Sequence, residues 1–463
     1  MQLFVLRIRC SSWRPAICCS RTPSMDVPSV NNLPPELLIA IATLITDQSG
    51  IFRLATVCGY WYNVLTGAPT LWTSVDCRRG SRTAILLQRS KSNPIDVTID
   101  HRFSPQAVSL VAHHTHRMRS IGVNFSSDQL GQVSSLFNMP APILETMSLS
   151  STPSFFPYHG SFFRGRFPTL RTLHLEGHRF DLAQSISMIT NGLTTLVLDD
   201  TRRHYLHNLL GYLEHCKNLV HLRIDLPNLQ EIISAPRTVS LPNLRELRIV
   251  RPPLTLHHLS FPPSTNLDIR SRAGSLTGGY SLAKAWTESG LLEVFESYPI
   301  KSVTMMFAGP NFTVRLSGPR LFLAEHTKTT KNRRTPFHSD CLDSLQSLPI
   351  ATVEVLRFAQ PPKFPFRWDL KPESCTRLLQ QMSALRRIVL DISVVQFFAH
   401  ALEPVNGQVP CPELQDLIII LREGHEADFR EMVLTSSLFA LSNQRKDLGC
   451  PLVCATGSPG LLD

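Results

Sequence analysis

The chain runs to 463 residues, with 46 Lys and Arg against 36 Asp and Glu for a formal net charge of +10, and with 43% hydrophobic and 18% charged residues. That balance excludes wholesale disorder, collagen and coiled coil, and the length fits about two to four domains or a small module ahead of a long repeat array. No run reaches the roughly 18 apolar residues of a membrane helix; the longest candidate, residues 33–45, holds Glu36 and two prolines, so a soluble chain is expected.

Residues 1–30 carry Arg7, Arg9, Arg14 and Arg21 against Asp26 and read as a disordered extension. Arg7 and Arg9 break the only apolar stretch there, which argues against a secretory signal. Eleven cysteines, an odd number without paired spacing, suit a reduced intracellular chain placed in the cytoplasm or nucleus. A second basic cluster holds Lys301, Arg315, Arg320, Lys328, Lys331, Arg333 and Arg334. With so much of the excess charge in two places, a nucleic-acid face along the whole molecule is not expected. The run 328–334 reads as a solvated loop, with a nuclear-import signal as the alternative.

Residues 31–76 read as a small three-helix module. Asn32 is placed to cap the first helix, Pro34 and Pro35 suit its first turn, and Glu36 complements its positive end. Leu37, Leu38, Ile41, Leu44 and Ile45 then fall at helical spacing as one wide apolar stripe. Residues 47–50 read as a turn. A second helix is expected through Phe52, Leu54, Val57 and Cys58, a third through Trp61, Val64 and Leu65, with residues 69–72 closing the unit. Three short helices cannot cover this many large apolar groups. Some of Leu33, Leu37, Ile41, Val57 and Trp72 should therefore lie exposed, unless another chain or domain covers them.

The strings LPPELLIAIATLI, LATVCGYWYNVL and PTLW together resemble an F-box. The matching positions are Leu33, Pro34, Glu36, Leu37, Ile41, Leu54, Val57, Cys58, Trp61, Leu71 and Trp72, and the following RSKSNPIDVTID is similar to the segment after the F-box in a large group of fungal F-box-like proteins. Gly59 stands where that family usually has Arg or Lys. The resemblance implies docking to a SKP-type adaptor, and through it to a cullin–RING ubiquitin ligase, with no chemistry in the F-box itself. The adaptor-binding residues so implied are Leu33, Pro34, Leu37, Leu38 and Ile41 from the first helix, Leu54, Val57, Cys58 and Trp61 from the next segment, and Leu71 and Trp72 at the close.

Beyond residue 115 a pattern L-x-x-L-x-L, with Met, Ile or Val allowed, begins at Met118, Leu144, Leu170, Leu193, Leu219 and Leu244, every 23 to 26 residues. Looser copies begin at Ile300, Val353, Leu385 and Leu414. Helical stretches (206–216 and 282–297) and Pro-containing turns (226–228 and 241–243) lie between. The pattern resembles leucine-rich repeats, one strand and one helix or irregular segment per unit, stacked so that neighbours bury each other's leucines. The repeat family's Asn is absent, its positions holding His178, Thr201, Pro227 and Pro252, so an irregular coil is expected. An ordinary α/β domain with Leu-rich strands is the alternative.

Residues between the leucines point to the opposite face of such strands. His174, His221, Arg223, Glu246, Arg248, Arg357 and Arg387 are the substrate-binding candidates; the recurrence of His and Arg would suit an acidic or phosphorylated partner, and an ordinary polar solvated face accounts for it at least as well. Catalytic patterns are missing: there is no nucleophile elbow, phosphate-cradling loop or HExxH helix. Residues 274–279 read as a Gly-rich loop, His113, His114 and His116 lack a second ligand pair, and Cys450 with Cys454 supply only two ligands.

The expectation is an α/β chain: a disordered extension (1–30), a three-helix F-box-like module (31–76), a linker of helix and strand (77–114), an irregular leucine-rich-repeat solenoid (115–445) and a tail (446–463). Its expected role is that of a non-catalytic substrate adaptor of an SCF-type ubiquitin ligase. No cofactor, metal, nucleic acid or membrane is implied. The alternative is a repeat scaffold or receptor that holds an adaptor or other protein without ubiquitin transfer.

Overall fold

The structure is a computed structural model. It describes residues 33–45, 47–126, 129–151, 166–177, 192–199, 203–225, 228–230, 238–250, 255–273, 295, 298–308, 311–319, 321–329, 342–343, 345–346, 348–359, 370–405, 407–420 and 437–457. The chain divides into two compact units, Met1–Trp72 and Thr73–Asp463.

The first unit holds α1 (Pro35–Thr43), α2 (Gln48–Leu54), α3 (Gly59–Gly67) and a closing 3-10 turn (Pro69–Trp72). Pro34, not Asn32, sits at the N-cap of α1, and Asn32 lies outside the described residues. The expected turn at 47–50 is instead the start of α2: the Asp47 carboxylate accepts from the Ser49 amide at 3.0 Å, satisfying one of the free donors of a helix start. Because α2 stops at Leu54, Val57 and Cys58 belong to the connection, with Cys58 at the N-cap of α3.

The second unit begins earlier than the sequence suggests. β1 (Ser74–Asp76), α4 (Gly80–Arg89), β2 (Ile95–Ile99) and α5 (Pro105–Ala112) fill the expected linker, and β1 and β2 already pair in parallel. Then come β3 (Met118–Phe125), α6 (Leu130–Asn138), β4 (Thr146–Ser151), β5 (Thr172–Glu176), β6 (Thr195–Asp199), α7 (Leu206–Leu213), β7 (His221–Asp225), β8 (Glu246–Val250) and β9 (Asn266–Ala273). The remainder is β10 (Ser302–Ala308), β11 (Asn311–Ser317), β12 (Leu321–Thr329), β13 (Val355–Ala359), α8 (Pro372–Gln381), β14 (Arg387–Asp391), α9 (Val395–Ala401), β15 (Asp416–Ile420), α10 (Ser437–Asp447) and β16 (Val453–Gly457). The expected tail from 446 thus contains the end of α10 and a further strand. Residues 1–30, 282–294 and the glycines at 274–279 lie outside the described residues.

Sixteen strands form one sheet. Strands β1 to β9 lie in chain order and all pair in parallel. The leucine pattern explains the register: Met147, Leu173, Leu196, Leu222, Leu247 and Leu267 are successive partners across β4 to β9. Every one is at most 2% exposed. Two residues on, Leu149, Leu175, Leu198, Ile224, Ile249 and Ile269 form a second buried row. Helices contribute apolar faces to the interior, among them Leu86 and Leu87 of α4, Val108 and Val111 of α5, and Leu378 and Leu379 of α8. Phe398 of α9 meets Phe358 of β13 with ring centroids 4.6 Å apart.

Strand order departs from chain order after β9. The strand beginning near Ile300 does not follow β9 in space; β12 pairs with β9, β11 runs antiparallel between β12 and β10, and β10 pairs with β13. A meander therefore enters the parallel array in reverse, because two short connections force β11 to turn back on its neighbours. Lys328, expected in a loop, lies in β12.

The positions of the missing Asn, His178, Thr201, Pro227 and Pro252, lie outside the described residues, but the turns ahead of the strands are tied by bonds of their own. Leu144, Leu170, Leu219, Leu244, Leu385 and Leu414 each donate their amide to the carbonyl three residues back, forming the same turn ahead of the strand. Side chains near these turns then reach the preceding segment: Thr169 Oγ1 donates to the Leu144 carbonyl, Asn243 Nδ2 to Lys217, Thr265 Oγ1 to Leu244 and Thr352 Oγ1 to Ile300. Two buried guanidiniums do the same at the ends of the sheet. Arg117 donates to the Leu87 and Asn93 carbonyls, and Arg445 to those of Pro410 and Cys411.

Leu196→Ala empties a place in the buried row and is expected to cost about 2–5 kcal/mol in a urea melt, while Thr195→Ala on the other face costs under about 0.5 kcal/mol. Equal losses would contradict the division of faces.

Candidate protein-interaction surfaces

In the first unit one apolar stripe serves two directions. Leu38 and Ala42 of α1 are buried, as are Ile51 of α2, Trp61 and Leu65 of α3, and Leu71 and Trp72. Trp72 fixes the interior: its Nε1 donates to the Leu65 carbonyl at 2.8 Å, and its ring meets Phe52 edge-on at 5.1 Å. Gln48 Nε2 donates to the Leu71 carbonyl, tying α2 to the closing turn. The Tyr60 hydroxyl donates to the Leu33 carbonyl at 2.8 Å and holds the entry of α1 against α3. Gly50 is required by close approach, since a Cβ there would sit 2.5 Å from Ile45 Cγ2. Gly59, by contrast, faces open space at the first position of α3, so its lack of a side chain relieves no crowding.

On the outside, Leu37 is 52% exposed, Ile41 41%, Leu44 82% and Val57 55%. Spacings of four and three residues put Leu37, Ile41 and Leu44 on one face of α1 and its C-terminal end. Of the eleven residues that the sequence marks for adaptor binding, Pro34, Leu37, Ile41 and Val57 are exposed, and Leu33, Leu54 and Cys58 are half-buried. Leu38, Trp61, Leu71 and Trp72 lie inside and support the surface instead of forming it. Sequence reasoning did not select Leu44, Tyr60 and Tyr62, although all three are exposed and Leu44 completes the α1 stripe.

The second surface is the sheet face opposite the leucine rows. Register puts His174, Val197, Arg223, Arg248 and Asp268 in one line across β5 to β9, and His221 beside Glu246 in the line before it. The cations here are mostly met by acids. Arg223 Nη2 lies 3.6 Å from Asp199, Arg248 Nε 3.3 Å from Asp268, and Arg270 Nε 3.0 Å from Asp268. His221 Nδ1 lies 3.0 Å from Glu246. Toward the other end, Arg387 reaches Asp416 at 2.7 Å and Lys301 pairs with Glu354. Arg357 and Arg387 thus lie on a different stretch of sheet from the other five candidates.

The acids are what sequence reasoning overlooked. Glu176, Asp199 and Asp225 are register partners one step beyond the second leucine row, a signal legible as L-x-L-[DE] and L-x-I-D. Burial, then the neighbouring Asp225, holds the Asp199 carboxyl above the usual range; Arg223 pulls the other way.

Among the described residues, no group of three or more His, Cys, Asp or Glu is placed to hold a metal ion. The rings of His114 and His116 lie 6.2 Å apart, and burial lowers the His114 pKa. Burial also pushes the thiols of Cys77, Cys216, Cys375 and Cys411 up to about 12, so they remain protonated at neutral pH. No helix among the described residues is long and apolar enough to cross a membrane.

A family model described as F-box-like matches residues 30–78, against the 31–76 read from the sequence. No curated protein matches the chain. The N-terminal part of the chain is thus an F-box-like domain. Such domains generally bind SKP-type adaptors, F-box proteins are typically non-catalytic, and the domain suggests in general terms an adaptor role in ubiquitin ligation.

Two outcomes follow from this geometry. Trp72→Ala is expected to remove about 3–5 kcal/mol of local stability, seen by hydrogen exchange as lost protection across α1 to α3, whereas Val57→Asp leaves protection unchanged. Iodoacetamide at neutral pH should spare Cys77, Cys216, Cys375 and Cys411 until the chain is denatured; rapid native labelling of any of them would show a thiol open to water.

Proposed function

We propose that the chain is the substrate-recognition adaptor of an SCF-type cullin–RING ubiquitin ligase. In this reading the first unit docks a SKP-type adaptor, and the large sheet, taken as an irregular leucine-rich-repeat solenoid, presents the substrate. The observation that carries the reading is the exposed apolar set Leu37, Ile41, Leu44 and Val57 on a module whose interior is already filled by Leu38, Trp61, Leu65, Leu71 and Trp72. Single exposed apolar residues are ordinary, but a contiguous stripe on a helix marks a surface meant for a partner. Burying each Leu- or Val-sized side chain contributes about 1.5–3 kcal/mol.

Catalysis has no part in this function beyond position. Holding a substrate beside the transferring enzyme raises its effective concentration, which needs affinity and geometry and no cofactor. The cytoplasm or nucleus is the setting that suits such an assembly and the free thiols of Cys77, Cys216, Cys375 and Cys411.

Co-purification with a SKP-type adaptor and its cullin tests the proposal. The parent is expected to capture both, and the double variant Leu37→Asp, Ile41→Asp to lose at least about tenfold of the captured adaptor while hydrogen exchange shows α1 to α3 intact. Capture of the adaptor without the cullin would favour a scaffold that takes no part in ubiquitin transfer. No capture by the parent would refute the docking assignment.

A further inference from the structure

On the sheet face opposite the leucine rows, most of the arginines among the described residues meet an acid. Arg223, Arg248, Arg270 and Arg387 each meet an aspartate, and Lys301 meets Glu354. Arg357, in the middle of β13, has no hydrogen-bond or ion-pair partner among the described residues, and its Nε is shut off from water without an acceptor. Register places Thr304 on one side of it and Val389 on the other, with Ile418 beyond. Val355 and Ala359 are its same-face neighbours along the strand. The acid closest by register, Asp391, has Oδ1 committed to the amide and hydroxyl of Ser393.

An unanswered guanidinium among apolar neighbours is an unusual state. A desolvated donor without an acceptor costs free energy, and a lone charge near low-dielectric surroundings attracts an anion more strongly than one in open water. The planar fork of Arg suits a carboxylate, which can take two parallel hydrogen bonds. Stoichiometry of charge chooses between anions. Arg387, the cation on the neighbouring strand, is already paired with Asp416, so Arg357 brings one positive charge to the site. A phosphate carries about −1.5 to −2 at neutral pH and would stay half-compensated there; a single Asp or Glu side chain balances the site.

We infer that Arg357 anchors the carboxylate of an Asp or Glu in an extended, otherwise aliphatic segment of the captured protein, whose neighbouring side chains lie over the half-exposed Val355 and Ile418. This rests on the proposed role of the sheet in presenting substrate and narrows that substrate's chemistry. It also turns the generally acidic or phosphorylated partner expected from the sequence into a non-phosphorylated, mainly apolar one.

The test uses the full chain and an array of short fluorescent peptides whose centre is Glu, Gln or phosphoserine and whose flanks vary among Val, Ile, Leu, Ala and Thr, read by polarisation. The Glu set should contain binders that weaken at least about tenfold on Glu→Gln in the peptide, and equally on Arg357→Leu in the chain. Arg357→Lys should recover part of the loss, since it keeps charge without the fork, and Arg377→Gln, an exposed ion-pair partner of Asp343 on α8, should bind as the parent does. Equal binding of Glu and Gln peptides, no binder in the array, or an Arg357→Leu chain indistinguishable from the parent would overturn the inference. Preference for phosphoserine would overturn it in favour of a phosphorylated partner. Adaptor capture measured on the same Arg357→Leu chain separates the two proposals: its retention alongside lost peptide selectivity supports this one, while failure of the parent to capture adaptor sinks the docking assignment alone.

Discussion

The large sheet depends on a single constraint, the parallel register that aligns each strand's buried residues with those of its neighbours. A shift by one residue would send Leu173, Leu196 and Leu222 to the half-exposed face and bring Thr172, Thr195 and His221 inside. Hydrophobic burial alone selects the face but tolerates a slip of two. The stitching of each turn to the preceding strand removes that freedom: the amides of Arg171, Thr194, Val220 and Arg245 donate in turn to the carbonyls of Glu145, Arg171, Thr194 and Val220. Both groups of an unpaired peptide would otherwise be left in a dry interior.

This explains why the strands were legible in the sequence and the links between them were not. Leucine rows leave a period because the same side-chain volume must recur in the same place. The donors that tie successive segments together are Thr, Asn and Arg at differing offsets, since any side chain able to reach a carbonyl will serve. No motif survives such freedom. The meander of β10 to β12 was hidden for a related reason: β11 alternates like any other strand, and alternation carries no information about direction. In the first unit the apolar stripe was plain, but its division was not. Leu37 and Leu38 are adjacent and equally apolar, yet one is 52% exposed and the other 1%, because successive helical residues point about 100° apart around the axis.

The division inside that small unit matters to how it is read. Trp61 and Trp72 are the largest apolar groups it has, and both are spent on the interior. The outer set is then made of branched aliphatic side chains on a short helix and one loop position, with Tyr60 and Tyr62 of α3 also exposed. A surface of this kind gains its affinity from area and shape, with few polar atoms to orient a partner. In the proposed docking role its specificity rests on the fit of α1 against the partner, so the internal bonds of Trp72, Gln48 and Tyr60, which hold the helices in place, bear on binding although none of them lies on the α1 stripe.

The sheet face poses the opposite problem, and its pattern of charges solves it. Ion pairs such as Arg223 with Asp199 or Arg387 with Asp416 contribute little to stability at half-exposed sites. They do change what the face rejects. A ligand that covers them must desolvate both members and receives no net charge in return, so most charged sequences lose more than they gain there. The stretch around Arg357 is different because the half-exposed Val355 and Ile418 lie near it and its guanidinium meets no acid among the described residues. A face that is discouraging over most of its length and receptive at one place discriminates among partners without needing a deep pocket.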